Sequence, residues 1–169
     1  MNLRESTSEL HKVAEQKRFN QRMIDGELSK SEYVEYLHQQ FFIFKAIEYF
    51  KIPHESLKRL ENVLEDIEEL DNFNPELLLE STKEYVNYLL ELNDDSILPH
   101  VYLNYLALLY GGQIIKKNVH GSGKMYTFRN TEECIKSIRK VQSDEWSDEV
   151  NKGFQFIINI LDELQRSFR

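Results

Sequence analysis

The sequence has little of what β-rich, disulfide-stabilised or membrane-spanning proteins need. Its 169 residues include 6 glycines, 3 prolines and one cysteine, whereas all-β and disordered chains usually carry more glycine and proline. The lone Cys134 has no partner for an internal disulfide, which favours a reducing compartment, and we expect it to be a small buried residue. No run of about 18 apolar residues is present, so no membrane span is predicted. The polar start of the chain does not resemble a signal peptide, and a soluble, cytoplasmic protein is expected.

The net charge and the length of the chain restrict its possible functions further. The formal net charge is −8, which argues against nucleic acid as a partner because phosphates attract basic surfaces. With 41% hydrophobic residues, the chain is able to bury a core. Its length fits a single domain over residues 1–169.

The spacing of apolar residues predicts an all-α fold. Asn2, Ser29 and Asn130 each precede a glutamate three residues later, the pattern of a capping box at a helix start. Between these starts, apolar residues recur three and four positions apart, as on amphipathic helices, and no segment alternates as a strand does. We expect the long helix after Ser29 to run to about Phe50.

His11 is the first candidate functional residue. It lies on the first predicted helix, and Glu15 follows four residues later on the same face. A neutral imidazole is a good axial ligand for iron, and a carboxylate one turn away accepts a hydrogen bond from the other ring nitrogen. An ordinary surface histidine has the same spacing, so this pair alone does not identify a metal site.

The pair Gly111-Gly112 interrupts an otherwise apolar helix predicted between Pro99 and Lys117. Each glycine inside a helix costs about 1 kcal/mol relative to alanine. We therefore expect another group to approach the helix backbone closely at this glycine pair. A neighbouring helix and a flat, bulky ligand account for the pair equally well.

A second possible metal site is the pair Glu35 and His38, which has the Glu-x-x-His spacing of helical di-iron proteins. Such proteins need a second pair and further glutamates, and the sequence has no second Glu-x-x-His motif. We therefore expect this pair to lie on an exposed face of the second long helix.

Several cations are candidates for contact with acidic groups of a ligand. Arginine is the better partner for a carboxylate because its guanidinium binds both oxygens at once. The candidates are Arg4, Lys116, Lys117, Lys136, Arg139 and Lys140.

Four segments of the sequence follow the order of segments in one known family. Residues 3–15, LRESTSELHKVAE, match its proximal helix, and residues 41–48, FFIFKAIE, match an aromatic stretch. Residues 102–113, YLNYLALLYGGQ, match its distal helix, and residues 154–165 match its last core helix. Together these segments resemble the haem oxygenase family, while residues 52–98 match it poorly.

The resemblance implies a single-domain helical bundle that holds haem between the first, proximal helix and a distal helix kinked at its glycine pair. It implies that His11 is the axial iron ligand and that Glu15 orients it. Gly111 and Gly112, with the neighbouring backbone, would cover the distal face of the haem. The residues implied to hold the propionates or to line the pocket are Arg4, Tyr102, Arg139 and Phe154.

The reaction implied by the resemblance is oxidative opening of haem to biliverdin, carbon monoxide and ferrous iron. Haem is then both cofactor and substrate, and dioxygen is consumed with electrons from a ferredoxin or a flavin reductase. An acidic ferredoxin would need a local basic face despite the overall charge. The lysines that would form this face are Lys116, Lys117, Lys136 and Lys140.

The sequence departs from the family pattern on the distal side. Ala107 and Leu108 stand where the family has Gly-Asp, and Phe44 stands where the family has a tyrosine that supports the distal water. Leucine does not hydrogen-bond and phenylalanine lacks the hydroxyl, so a drier pocket is expected.

Three functions are compatible with these residues. The first is a working haem oxygenase that takes its distal water from elsewhere, near Tyr105, Tyr110 or Gln113. The second is a haem-binding protein that stores or senses haem or has peroxidase-like chemistry. The third is a helical relative without haem, such as a di-iron oxidase or an interaction protein.

Overall fold

The computed structural model describes residues 1–167, which form helices and connecting turns without a β-strand. This confirms the predicted all-α class in one domain. The α-helices are α1 (Leu3–Ser6), α2 (Ser8–Gln16), α3 (Arg18–Ile24), α4 (Lys30–Ile47), α5 (Leu60–Leu70), α6 (Glu80–Leu90), α7 (Leu98–Leu109), α8 (Gly111–Ile115), α9 (Thr131–Val141) and α10 (Ser147–Ser167). Short 3₁₀ turns lie at Glu55–Leu57, Pro75–Leu77, Lys116–Asn118, Lys124–Tyr126 and Asp144–Trp146. None of the helices in this part of the chain combines the length and the apolar character that a bilayer crossing requires.

The α4 helix lies at the centre of the molecule. Twelve of its 18 residues are buried, because α5, α6 and α10 pack around it. Most of the buried side chains belong to one large core that these helices share. Cys134 of α9 is a buried member of this core, as predicted.

The prediction that Glu35 and His38 lie on an exposed face is wrong, because both residues are buried in α4. His38 Nδ1 donates to the carbonyl oxygen of Val34 at 2.7 Å, and its Nε2 accepts from the N–H of Asn74 at 2.9 Å. Both ring nitrogens are thus engaged by the backbone, and His38 fastens the turn after Asn74 to α4. Residues 1–167 contain no group of three or more His, Cys, Asp or Glu side chains that could hold a metal ion.

Capping interactions set several helix boundaries. The side chains of Asn2 and Ser29 each accept a hydrogen bond from the backbone N–H three residues later, and Ser29 forms a complete capping box. Asn130 does not cap α9 with its side chain, because its backbone is left-handed with φ 53°. The α4 helix ends at Ile47, about one turn before Phe50.

A buried polar network joins α6, α7 and α10. The Tyr85 O–H donates to His100 Nδ1 at 2.7 Å, and His100 Nε2–H donates to Glu149 Oε1 at 3.0 Å. The Asn104 amide donates to the Tyr85 hydroxyl oxygen at 3.1 Å. Burial lowers the pKa of His100 below its usual value in spite of the neighbouring Glu149. His100 is therefore neutral near pH 7 and links the three helices.

We predict that His100 makes the folded state less stable as the pH falls. The unfolded chain, with an ordinary histidine pKa, binds the proton more readily than the buried ring, so the stability present above about pH 6.5 is lost below it. The measurement is the free energy of unfolding in urea at about pH 7.5 and about pH 5.5. The loss between these pH values should be smaller in His100→Gln than in the wild type. Equal losses in the two proteins would contradict the assignment of a neutral buried His100.

Candidate functional site

The imidazole of His11 is fixed on two sides and exposed on a third. Its Nε2 lies 3.0 Å from Glu15 Oε1, one turn along α2. Its ring stacks on Phe154 of α10, with ring centres 5.5 Å apart and planes 25° from parallel. The His11 side chain is nevertheless 58% exposed. The ring plane is thus held by protein contacts while the imidazole stays accessible to a ligand.

A small apolar cluster joins the helix before His11 to the distal helix α7. Its buried members are Leu3 of α1, Leu103 of α7 and Val150 of α10. Tyr102, Trp146, Phe154 and Ile157 pack against it. The cluster therefore brings Tyr102 and Phe154 together near the start of the chain, where Arg4 is exposed beside Leu3.

The predicted break at the glycine pair is present, and the helix leaves its regular course at Tyr110. This residue has φ −108° and ψ −84°, between the end of α7 and the start of α8. A Cβ added at Gly112 would lie 2.8 Å from Tyr126 Cδ1, so packing inside the protein requires this glycine. A Cβ added at Gly111 would meet nothing within 4 Å. The backbone of Gly111 thus borders open space.

The outer face of α7 and α8 carries apolar side chains that the protein itself leaves uncovered. Ala107 is exposed, and Tyr110 and Ile114 are 49% and 61% exposed. Val13, near His11 on α2, is also exposed. Exposed apolar patches are typical of ligand-binding surfaces. An accessible imidazole, a bare glycine backbone and uncovered apolar side chains are the features that a flat, apolar, metal-containing ligand needs.

The inner side of the distal helix is apolar where the resemblance expects polar groups. Leu108 is 4% exposed, and the Phe44 ring is fully buried with its centre 5.0 Å from that of Tyr105. The Tyr105 O–H donates to Glu48 Oε2 at 2.7 Å. Burial raises the pKa values of both Tyr105 and Glu48. The Tyr105 hydroxyl is therefore bound to a core carboxyl group and is not directed to a ligand.

Two further side chains were expected as alternative sources of distal water. The Gln113 amide donates to the carbonyl oxygens of Leu108 and Tyr126, at 3.0 and 2.7 Å. It thereby braces the helix break and has no free N–H for a water molecule. Tyr110, in contrast, lies on the exposed side.

The candidate cations differ in their surroundings. Arg139 of α9 reaches Tyr110, with its Nη2 3.5 Å from the hydroxyl oxygen and its Cζ 5.8 Å from the ring centre. Lys116 Nζ donates to the Thr127 hydroxyl at 2.6 Å. Lys136 forms an ion pair with a glutamate of its own helix. Lys117 and Lys140 are exposed.

Sequence reasoning missed Gly153, which precedes Phe154 in α10. A Cβ at this position would lie 2.5 Å from Leu103 Cδ2 and 3.2 Å from His100 Nδ1. Only a glycine lets α10 approach α7 this closely without moving those side chains. The sequence did contain a signal for this close approach, because a glycine inside an amphipathic helix indicates a packing or functional requirement.

Comparisons with known proteins agree on one family. The family model described as "Heme oxygenase" matches residues 1–161. The "Heme oxygenase" of Rhodella violacea is 29% identical over 137 residues, which cover 69% of this chain and 57% of the relative. A "Heme oxygenase" of Guillardia theta is also 29% identical, and 56% of that relative is covered. The chain thus spans little more than half the length of the curated relatives it matches.

Solved structures share the same fold. The heme complex of heme oxygenase-1 from Synechocystis sp. PCC6803 superposes with a TM-score of 0.83 at 21% identity, covering 98% of this chain and 91% of that one. The heme oxygenase of Leptospira interrogans has a TM-score of 0.80 at 25% identity, covering 95% of this chain and 97% of that one. The likeness therefore extends over the whole helical bundle.

The two glycines of the helix break should respond differently to a methyl group. Gly112→Ala forces the buried Tyr126 ring to move, and overpacking of this kind costs about 1–3 kcal/mol. Gly111→Ala meets no atom and should leave stability unchanged or raise it by up to about 1 kcal/mol through helix propensity. Urea unfolding of both variants measures the difference. Equal stability of the two variants would contradict the distinct surroundings described above.

Proposed function

The chain belongs to the haem oxygenase family, and we propose that it binds haem through His11 and opens the macrocycle to biliverdin, carbon monoxide and ferrous iron. Haem supplies the iron that activates dioxygen and is itself the substrate that is consumed. The observation that carries the proposal is the exposed His11 imidazole, held by Glu15 and Phe154, together with the uncovered apolar face around Gly111.

On the proximal side, His11 is the residue that would hold the haem iron. Its Nε2 lies 3.0 Å from Glu15 Oε1, so Nδ1 would be the nitrogen that binds iron. The hydrogen bond to Glu15 would fix the orientation of the ring and raise its basicity. Stacking on Phe154 holds the plane of the imidazole. Phe154 then also forms part of the pocket wall.

At the edge of the pocket, the proposed partners of the two propionates are Arg4, Tyr102 and Arg139. Both arginines are exposed, and a guanidinium binds a carboxylate through two parallel hydrogen bonds. Tyr102 is held by the cluster around Leu103 and packs edge-on against Trp146. These groups would set the rotation of the macrocycle in its plane.

On the distal side, Ala107 and Gly111 present little more than backbone to the ligand. Their small size allows a flat ring to lie close to the helix. Leu108 and Phe44 exclude water from the layer behind this helix, because neither side chain offers a hydrogen bond. A proton needed at the distal face must therefore arrive from the open side.

Haem binding is tested by titration of the purified protein with hemin. A sharp Soret band is expected in the wild type, and His11→Ala should change its position and intensity strongly. His54→Ala is the matched control, since His54 caps a distant 3₁₀ turn. Absence of a Soret band in the wild type, or an unchanged band in His11→Ala, would contradict the proposal.

A second candidate function is haem binding without turnover. It is favoured by the dry distal layer, in which Leu108 and Phe44 are buried and the Tyr105 hydroxyl donates to Glu48. The Gln113 amide nitrogen likewise donates to backbone carbonyl oxygens of the protein. On this account the protein would store or sense haem.

Turnover with ascorbate or a ferredoxin system distinguishes the two functions. For the proposed oxygenase, we expect the Soret band of the wild type to give way to biliverdin absorption. Leu108→Asp should accelerate this conversion by roughly tenfold or more, since a positioned acid–base group contributes about 10²–10⁴-fold. Leu108→Asn controls for polarity without charge. Intact haem in the wild type would favour binding without turnover.

The electron donor is proposed to be a ferredoxin or a flavin reductase that docks near α8 and α9. Lys117 and Lys140 are exposed there, beside the uncovered apolar Ile114 and Val141. Opposite charges on two proteins accelerate their encounter more than they increase their affinity. The buried Cys134, the single cysteine of the chain, supports a cytoplasmic location for this reaction.

Charge reversal tests the docking face. Lys117→Glu combined with Lys140→Glu should lower the rate of haem reduction by an acidic ferredoxin at low salt, and the deficit should shrink at high salt. Lys51→Glu combined with Lys83→Glu, at two exposed lysines outside this face, is the control with the same change of net charge. An unaltered reduction rate in the double variant would refute the docking face.

A further inference from the structure

The guanidinium of Arg139 is held by neutral groups. Its Nη1 donates to Gln142 Oε1 at 2.7 Å, and its other contact is the ring and hydroxyl of Tyr110. On the same helix, Lys136 pairs with Glu132 at 3.0 Å. Within residues 1–167, no carboxylate forms an ion pair with Arg139. This arginine is thus oriented by the protein while its charge stays uncompensated, which suits it to an anionic ligand.

Tyr110 occupies a distinctive place in the chain. It is the residue at which the distal helix breaks, and the open backbone of Gly111 follows directly. About half of its side chain is exposed. Its contact with Arg139 therefore connects α9 to the rim of the open space above Gly111.

We propose that Tyr110 is a positioning residue that holds the Arg139 guanidinium at this rim, where the cation pairs with a propionate of the substrate. This inference rests on the proposed binding of haem. An unrestrained arginine loses side-chain freedom when it binds a carboxylate, and support from a fixed ring removes part of that cost. Tyr110 acts through Arg139 and does not react itself.

The aromatic face of Tyr110 provides most of this support. The distance of 3.5 Å between the hydroxyl and Nη2 is long for a hydrogen bond. The separation of 5.8 Å between Cζ and the ring centre lies within the range of a cation–π contact. Phenylalanine at position 110 should therefore keep the contact with Arg139, whereas leucine, which is apolar but has no ring, should lose it.

The test is a titration of the apoprotein with hemin and, separately, with iron protoporphyrin IX dimethyl ester, whose propionates carry no charge. Tyr110→Leu should weaken hemin binding by about two- to fivefold, the range of an exposed cation–π contact. Tyr110→Phe should bind hemin like the wild type, and Tyr110→Leu should weaken binding of the ester less than it weakens binding of hemin. In an Arg139→Gln background, Tyr110→Leu should cause no further loss.

Four results would overturn the proposal. Equal weakening of hemin and ester binding in Tyr110→Leu would assign Tyr110 to packing alone. If the loss of hemin affinity caused by Tyr110→Leu adds fully to the loss caused by Arg139→Gln, the two residues act independently. If Tyr110→Leu binds hemin as tightly as the wild type does, Tyr110 has no positioning role, although the proposed haem binding stands. If the wild type itself does not bind hemin, both proposals are contradicted.

Discussion

The close approach of α10 to α7 at Gly153 is the constraint on which the candidate site depends. At this point a single methyl group would overlap Leu103 and crowd His100. Because the two helices meet here, Phe154 reaches the ring of His11, and Leu3 and Val150 close around Leu103. One small residue thus sets the spacing between α10, whose Phe154 stacks on His11, and α7, which leads to the open space at Gly111.

The distal helix combines two glycines that serve different purposes. Gly112 faces inward and makes room for Tyr126, whereas Gly111 faces outward and leaves its backbone bare. The same division applies to the neighbouring side chains, since Ala107 is exposed and Leu108 belongs to the core. The outer face is suited to a flat ligand. The inner layer lacks the acidic group that the family pattern has there, so the proposed binding and the proposed turnover would depend on different residues.

Much of the fold was predictable from local signals. Capping at Asn2 and Ser29 and the glycine pair marked helix boundaries that the structure confirms. Helical periodicity assumes that one face of a helix is exposed to solvent. The burial of Glu35 and His38 was not predictable from it, because α4 is surrounded on nearly all sides. Asn130 carried a capping pattern, but its left-handed backbone turns the side chain away from the helix start.

The candidate site was predictable only in part. His11 and Glu15 were recognisable because one helical turn joins them. Two other contacts join residues that are far apart in sequence, namely the stacking of Phe154 on His11 and the contact between Tyr110 and Arg139. Local sequence spacing does not predict either of them. These contacts arise from the packing of α10 on α2 and of α9 on α7.

A crystal structure of the protein with bound hemin tests the central claim most directly. The account predicts iron bound to a ring nitrogen of His11, with the macrocycle lying against the backbone of Gly111 and the methyl group of Ala107. Hemin bound at another surface, or iron without a bond to His11, would contradict it.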